Sequence, residues 1–115
     1  MTTDVRWKLF ALHAFLGELR AIPQSNFIRY IALYGPLANG VEADEIALAT
    51  ILAGTTPAQI HARLWDQIAA LLLHCERTYA VTINCLLVSE ASLADAMKRP
   101  PQFTAIEHEH VIVWP

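Results

Sequence analysis

The sequence contains few charged residues and few cysteines, and each shortage limits the classes of protein to which the chain can belong. Only 17% of its 115 residues are Asp, Glu, Lys or Arg, and the formal charge is −3. Since proteins that hold phosphate backbones carry basic surfaces, we expect no nucleic-acid binding. The two cysteines, Cys75 and Cys85, lie in or beside apolar runs. This is typical of buried free thiols in a cytoplasmic protein.

Long apolar runs are also missing. None approaches the roughly 18–20 residues that a membrane helix needs, and residues 1–6 lack the organisation of a signal peptide. We therefore expect no membrane span, a cytoplasmic location and a single domain over residues 1–115. Hydrophobic residues nevertheless make up 55% of the chain, above the roughly 45–50% usual for soluble domains. This excess predicts exposed apolar surface unless a partner covers it.

Hydrophobic periodicity predicts an α/β (α+β) fold, in which helices flank a mixed sheet of about four strands. Helices are expected at residues 4–21, 57–76 and 92–98, with one further helical turn at 103–107. Strands are expected at residues 27–34, 45–53, 79–88 and 110–114. The predicted order is thus α-β-β-α-β-α-β.

The first predicted helix is apolar around more of its circumference than one sheet covers. Its main stripe consists of Val5, Leu9, Leu12, Leu16 and Leu19. A second stripe beside it consists of Trp7, Phe10, Ala14 and Phe15. Because a core-facing arc is narrower than both stripes together, we expect Trp7 and Phe10 to anchor an interface. Trp65 of the second helix is likewise expected to be a core or interface anchor rather than a platform for bases.

A loop bracketed by two glycines separates the first two predicted strands. The apolar run 28–34 ends at Gly35, and Gly40 precedes the second run at 46–53. Glycine lets the backbone approach a ligand closely, and successive N–H groups in such a turn can hold a phosphate. The alternative is a plain connection without a ligand, which the spacing alone favours because two glycines are weak evidence.

This stretch resembles the signature of the minimal nucleotidyltransferase domains of the DNA polymerase β superfamily. The family pattern is a strand ending in Phe-Gly-Ser, then x-Ala-Arg-Gly, then Ser-Asp-x-Asp opening the next strand. The corresponding segments here are Leu33-Tyr34-Gly35-Pro36, Leu37-Ala38-Asn39-Gly40 and Asp44-Glu45-Ile46-Ala47-Leu48. Residues 82–89 resemble the third strand and residues 110–114 the closing strand, so the resemblance spans most of the chain. It implies nucleotide-binding positions at Gly35, Pro36, Asn39 and Gly40.

The departures from the family pattern concern its catalytic carboxylates. In the family, three carboxylates hold Mg²⁺ ions that clamp the nucleotide phosphates. Here Glu45 keeps the first, Ala47 removes the second, and Asn84 replaces the third by a neutral amide. Asp44 can substitute only if the strand register slips by one residue, which would turn its side chain to the other face.

The loop departs from the pattern as well. Pro36 removes a backbone donor and the serine hydroxyl together, and Asn39 removes the arginine charge. The resemblance therefore implies a pseudoenzyme without a cofactor, which keeps the fold of the family and has lost its catalytic activity. Minimal domains of this family often accompany a helical partner in bacterial toxin–antitoxin pairs. We thus expect an antitoxin-like or regulatory role, through a helical protein partner or a homodimer.

Two alternatives to this interpretation remain. One is a residual enzyme that transfers a nucleoside monophosphate from NTP, using Glu45 with Asp44 or Asn84 and Mg²⁺. The other is an unrelated α/β interaction domain. A nucleotidyltransferase requires metal-dependent nucleotide binding, whereas an interaction domain does not.

The segment His108-Glu109-His110 has the only metal-like spacing in the sequence. On a strand its two imidazoles would point to one face. A Zn²⁺ site needs at least a third ligand, and no second cluster of Cys and His has ligand spacing. An exposed polar lead-in to the last strand is the alternative, and we expect no metal site.

Overall fold

The computed structural model describes residues 3–94 and 110–114, and its elements follow the predicted order. The helices are α1 at Thr3–Arg20, α2 at Ala58–Tyr79 and α3 at Glu90–Ala94. The strands are β1 at Ile28–Tyr34, β2 at Ile46–Leu52, β3 at Ile83–Ser89 and β4 at His110–Trp114. The expected α+β fold is confirmed. The predicted turn at 103–107, and the end of the predicted helix at 92–98, lie outside the described residues.

The four strands form one mixed sheet in the order β3-β2-β1-β4. Strand β1 is antiparallel to β2 and to β4, whereas β2 and β3 are parallel. Parallel neighbours cannot be joined by a tight hairpin, and α2 supplies the crossover that this pair requires. All seven residues of β2 are buried, as expected for a central strand with both faces covered.

The two faces of the sheet are covered differently. Helices α1 and α2 lie over one face and provide the larger part of the core. The fully buried side chains from these helices are Val5, Ala11, Phe15, Leu19, Leu64, Ile68 and Cys75. The opposite face holds a smaller cluster of Ala32, Ala49, Ile51 and Val88, against which Tyr30, Tyr34, Leu86 and Leu93 pack. Leu93 brings α3 onto this second face.

Helix α1 buries its main predicted stripe and part of the second. Of the main stripe, Val5, Leu12, Leu16 and Leu19 are buried, and Leu9 packs against the core. Phe15 is fully buried, so its assignment to the outer stripe was wrong. Trp7 and Phe10 are 46% and 56% exposed, as that stripe predicted.

The exposed aromatic residues hold the end of α2. The Trp7 Nε1–H group donates to the Tyr79 carbonyl at 2.6 Å, which is one of the last four carbonyls that a helix leaves without an internal partner. The Trp7 ring stacks on Phe10 at 5.7 Å between centroids, and the Tyr79 ring contacts both edge-on. Ala80 then adopts a left-handed conformation with φ 54° that terminates the helix.

This ending of α2 corrects the predicted start of the third strand. Residues 79–82 were expected to be extended, but Tyr79 completes the helix and β3 begins at Ile83. The β propensity of Tyr79 is overridden by its contacts with α1.

Both cysteines are buried and free, as the sequence predicted. Burial raises the pKa of the Cys75 thiol, and the nearby Glu18 carboxylate raises it further. Burial also raises the pKa of Cys85, against a smaller lowering by the hydrogen bond with Thr50, whose Oγ1 lies 3.4 Å from the sulfur.

The raised thiol pKa values predict a loss of stability at alkaline pH. Below the ordinary thiol pKa of 9.0, both thiols stay protonated in the folded and unfolded states, and stability is unaffected. Above pH 9 the unfolded chain ionises first, so the free energy of unfolding should fall. Urea titrations across this pH range measure it, and Cys75→Ala with Cys85→Ala should flatten the decline. Identical pH profiles for the two proteins would contradict the assignment to the thiols.

Candidate functional site

The turn after β1 depends on two glycines. Gly35 has φ 80° and ψ −167°, a conformation that side chains strongly disfavour. A short 3-10 helix follows at Pro36–Asn39, and Gly40 ends it in the left-handed region with φ 73°. The glycines flanking this loop are therefore required by the backbone path.

The loop uses several of its N–H groups internally. Ala38 N–H donates to the Gly35 carbonyl, Gly40 N–H to Leu37, and Val41 N–H to Pro36, at 3.0–3.1 Å. Donors committed in this way are not directed at a ligand. The N–H groups of Ala38, Gly40 and Val41 are therefore not directed at the phosphate that the resemblance implies for this turn.

A surface cleft of about 580 Å³ lies beside this turn. The residues that line it are Tyr34, Gly35, Pro36, Glu42, Ala43, Asp44, Glu45 and Ala47. Among the described residues that line it are three carboxylic acids and no Lys or Arg. The cleft therefore repels a polyphosphate unless a cation lies between them. Of the predicted nucleotide-binding residues, Gly35 and Pro36 line the cleft, whereas Asn39 and Gly40 do not.

The sheet register brings the catalytic-motif positions together. Tyr34 of β1 pairs with Ala47 of β2, and Ala47 pairs with Asn84 of β3. Glu45 immediately precedes β2, and its Oε1 accepts a hydrogen bond from Asn84 Nδ2 at 3.4 Å. The three positions that correspond to the family's carboxylates therefore meet at one end of the sheet, with the Ala47 methyl group among them.

Asp44 lies before the strand that carries Ala47. Strand β2 begins at Ile46, which pairs with Ile83. Asp44 lies in the bend before the strand and forms part of the cleft wall. A substitution of Asp44 for the carboxylate that Ala47 removes stays a prediction.

The donor set at this position fits a two-metal site poorly. Mg²⁺ prefers several anionic oxygen ligands in octahedral geometry, and here one carboxylate faces an amide and a methyl group. Among residues 3–94 and 110–114, no group of three or more His, Cys, Asp or Glu side chains could hold a metal ion. His108 and Glu109 of the predicted metal-like cluster lie outside these residues, and His110 opens β4 with an exposed side chain.

Tyr34 is a cleft residue that the motif comparison passed over. It occupies the phenylalanine position of the family signature. The hydroxyl, which phenylalanine lacks, is the feature of the sequence that could have identified it as a site residue. Burial raises the pKa of the Tyr34 phenol, and Glu45 followed by Cys85 raises it further. The hydroxyl thus stays neutral at physiological pH and can donate a hydrogen bond in the cleft.

The predicted interface residues lie on the surfaces of the two long helices. Trp7 and Phe10 are exposed on α1, and Trp65 of α2 is 42% exposed. Leu73 follows Trp65 by two helical turns and is also exposed. None of the helices within the described residues is long and apolar enough to cross a membrane.

The sequence matches no protein-family model and no curated protein. Its structure is similar to the crystal structure of a candidate nucleotidyltransferase from Sulfolobus solfataricus, with a TM-score of 0.58 and 9% sequence identity. The match covers 96% of this chain and 83% of that one. At this identity the likeness establishes the fold. The nucleotidyltransferase-like fold inferred from the degraded motif is therefore confirmed.

Gly35→Ala should cost about 1–3 kcal/mol in the free energy of unfolding, because alanine disfavours φ 80°. Gly17→Ala is the matched control, since Gly17 lies inside α1 and alanine is the better helix former. Apart from chain neighbours and the backbone of α1 around Gly17, no described residue lies within 4 Å of a Cβ at either position, so the comparison tests backbone conformation. Equal denaturation midpoints for the two variants would show that Gly35 is an ordinary turn residue.

Proposed function

We propose that this chain is a catalytically degenerate, cytoplasmic nucleotidyltransferase-like domain that acts by binding a helical protein partner or a second copy of itself. An antitoxin-like or regulatory role suits such a domain. The observation that carries the proposal is Ala47, whose methyl group lies beside Asn84 in the sheet. At these two positions the family signature has carboxylates.

The electrostatics of the cleft support the loss of catalysis. Phosphoryl-transfer sites stabilise the charge of the transferring group with metal ions and basic side chains. Among its described lining residues, this cleft has three acidic side chains, Glu42, Asp44 and Glu45, and no basic one. These described side chains do not reproduce the family's set of three carboxylates and carry no positive charge to neutralise phosphates directly.

The exposed surface of α1 and α2 supports the binding role. Trp7, Phe10 and Tyr79 form an aromatic cluster where the two helices meet. Trp65 and Leu73 expose further apolar surface on α2. Aromatic side chains are enriched among the residues that dominate binding energy at protein interfaces.

Within the aromatic cluster, Phe10 is the residue whose replacement tests binding without removing a helix cap. Trp7 donates its indole N–H to the C-terminal end of α2, so replacing it removes a helix cap as well as changing the surface. Phe10 is 56% exposed and has no polar atom with which to cap the helix.

A residual nucleotidyltransferase is the second candidate function. The Glu45 carboxylate and the Asn84 amide lie 3.4 Å apart, and Asp44 lines the same cleft. With Mg²⁺, these oxygens could hold a single ion against an NTP. This candidate requires nucleotide binding that depends on the metal and on Glu45.

We expect no nucleotidyl transfer with Mg²⁺ or Mn²⁺, because the motif positions keep one carboxylate of three. Incubation with labelled NTPs and candidate acceptors measures transfer, and calorimetry with and without Mg²⁺ measures binding. Glu45→Gln is the informative variant, and Asp66→Asn, on the exposed face of α2, is its control. Metal-dependent incorporation that disappears in Glu45→Gln and survives in Asp66→Asn would establish the residual enzyme instead.

We expect the purified protein to be a dimer or larger, because the aromatic cluster exposes apolar surface that monomers rarely carry as one large patch. Phe10→Lys should shift light-scattering masses towards the monomer over a dilution series while circular dichroism stays unchanged. Val41→Lys is the control, since Val41 is 55% exposed but lies outside the helices. A monomer at every concentration, with no co-purifying protein, would contradict association through this cluster.

A further inference from the structure

Gly17 lies at a position where glycine does not stabilise the helix. It lies in the interior of α1, where glycine destabilises a helix relative to alanine. Apart from its chain neighbours and the backbone of its own helix, no heavy atom of the described residues lies within 4 Å of the position that a Cβ would take. Close packing among residues 3–94 and 110–114 therefore does not explain the glycine, and these residues leave the space above it open.

That space is a pocket of about 160 Å³ between α1 and β4. It is lined by His13, Leu16, Gly17, Arg20 and Val113. His13, Gly17 and Arg20 are four and three residues apart, so they share one face of α1, with Gly17 as the floor between the two nitrogen-bearing side chains. Leu16 and Val113 supply apolar walls.

The Arg20 side of the pocket is held in place, and none of the described residues that line the pocket is acidic. The Arg20 guanidinium carbon lies 4.8 Å from the centroid of the Trp114 ring, a cation–π contact that fixes its position. Within residues 3–94 and 110–114, the ion pairs are Arg29 with Glu90 and His74 with Glu18. Neither includes His13 or Arg20, although the chain as a whole carries net negative charge.

The pocket adjoins an edge of the sheet. Strand β4 pairs with β1 on one side and is the outer strand in the described part of the sheet, so alternate backbone N–H and C=O groups point away from β1. Val111 and Ile112 are 45% and 49% exposed, and the strand contains neither Lys nor Pro, which commonly protect an edge.

A β-bulge connects the edge to the pocket. Ala32 pairs with Ile112, but the preceding residue, Ile31, pairs with Trp114, so Val113 is the extra residue of β4. A bulge redirects a side chain relative to regular pairing, and Val113 lines the pocket. Backbone donors and acceptors of the edge therefore lie next to the His13–Arg20 pocket.

We propose that the outer edge of β4 binds an extended segment of a partner protein as an added strand, with an acidic side chain of that segment entering the pocket. Strand addition supplies affinity through backbone hydrogen bonds, and adjacent pockets select side chains. A glutamate fits the chemistry, because the Arg20 guanidinium and the His13 ring can donate to its carboxylate. Leu16 and Val113 would contact its methylene groups.

Charge complementarity favours this occupant over a symmetric pairing of two copies. Strand β4 reads His-Val-Ile-Val-Trp and contains no Asp or Glu. Within His110–Trp114, pairing β4 with its own copy would bring two Arg20 side chains together without a carboxylate from either described strand. This surface shares no residue with the cleft or the aromatic cluster, and the inference does not rest on the proposed function.

The test uses fluorescein-labelled short peptides that alternate valine and threonine around a single glutamate, each with a glutamine twin. Fluorescence anisotropy with the full chain should show binding of glutamate peptides that is roughly tenfold or more tighter than binding of their twins. Gly17→Leu should weaken binding at least as much, because its side chain fills the pocket, while the melting temperature is unchanged or higher. Arg20→Gln should also weaken it.

Two control variants distinguish an effect of the pocket from a general effect of lost positive charge or added apolar surface. Lys8→Gln removes one positive charge elsewhere on α1, and Ala70→Leu adds a leucine to the exposed face of α2; both should bind as the wild type does. Equal binding of glutamate and glutamine peptides, wild-type binding by Gly17→Leu, or no binding by any peptide would overturn the proposal. A dimer that dissociates on Gly17→Leu would assign the edge to a second copy and overturn the acidic-peptide occupant.

Discussion

The burial of β2 is the constraint on which the rest of the structure depends. This strand is buried along its whole length, and its parallel pairing with β3 obliges the intervening chain to cross over the sheet as α2. That crossover places α2 beside α1 above one face. The same pairing sets Ala47 beside Asn84, so the core that stabilises the fold also fixes the positions of these two residues at the end of the sheet.

Fold and chemistry are separable in this arrangement. The larger core lies between the sheet and the two long helices, whereas Glu45 and Asn84 are exposed at one end of the strands. Since burial of apolar surface is the main source of stability, replacing catalytic carboxylates at such positions takes little from the fold. It can even relieve repulsion between like charges. A domain of this kind can thus lose its metal ligands and still present the same helical surface.

The sequence predicted the element order and the Gly35 turn because both depend on local patterns. Apolar runs and glycine positions identify strands and corners without knowledge of distant partners. The end of α2 could not be predicted in this way, since Tyr79 is capped by Trp7, which lies 72 residues away in the sequence. Phe15 and Phe10 were grouped together because periodicity shows only which residues share a helical face. It does not show how much of that face the rest of the protein covers. The pocket at Val113 likewise joins the two ends of the chain.

Gly17 and Gly35 differ in backbone conformation. In the part of the chain that the structure describes, neither has a neighbour that would obstruct a Cβ, so crowding by these residues explains neither. Gly35 has a positive φ, and the backbone path itself requires glycine there. Gly17 is helical, so the backbone tolerates any good helix former, and glycine weakens α1 at that point. Among the described residues neither conformation nor packing requires a glycine at position 17, and the space beside it lies between an arginine, a histidine and the outer strand of the described sheet.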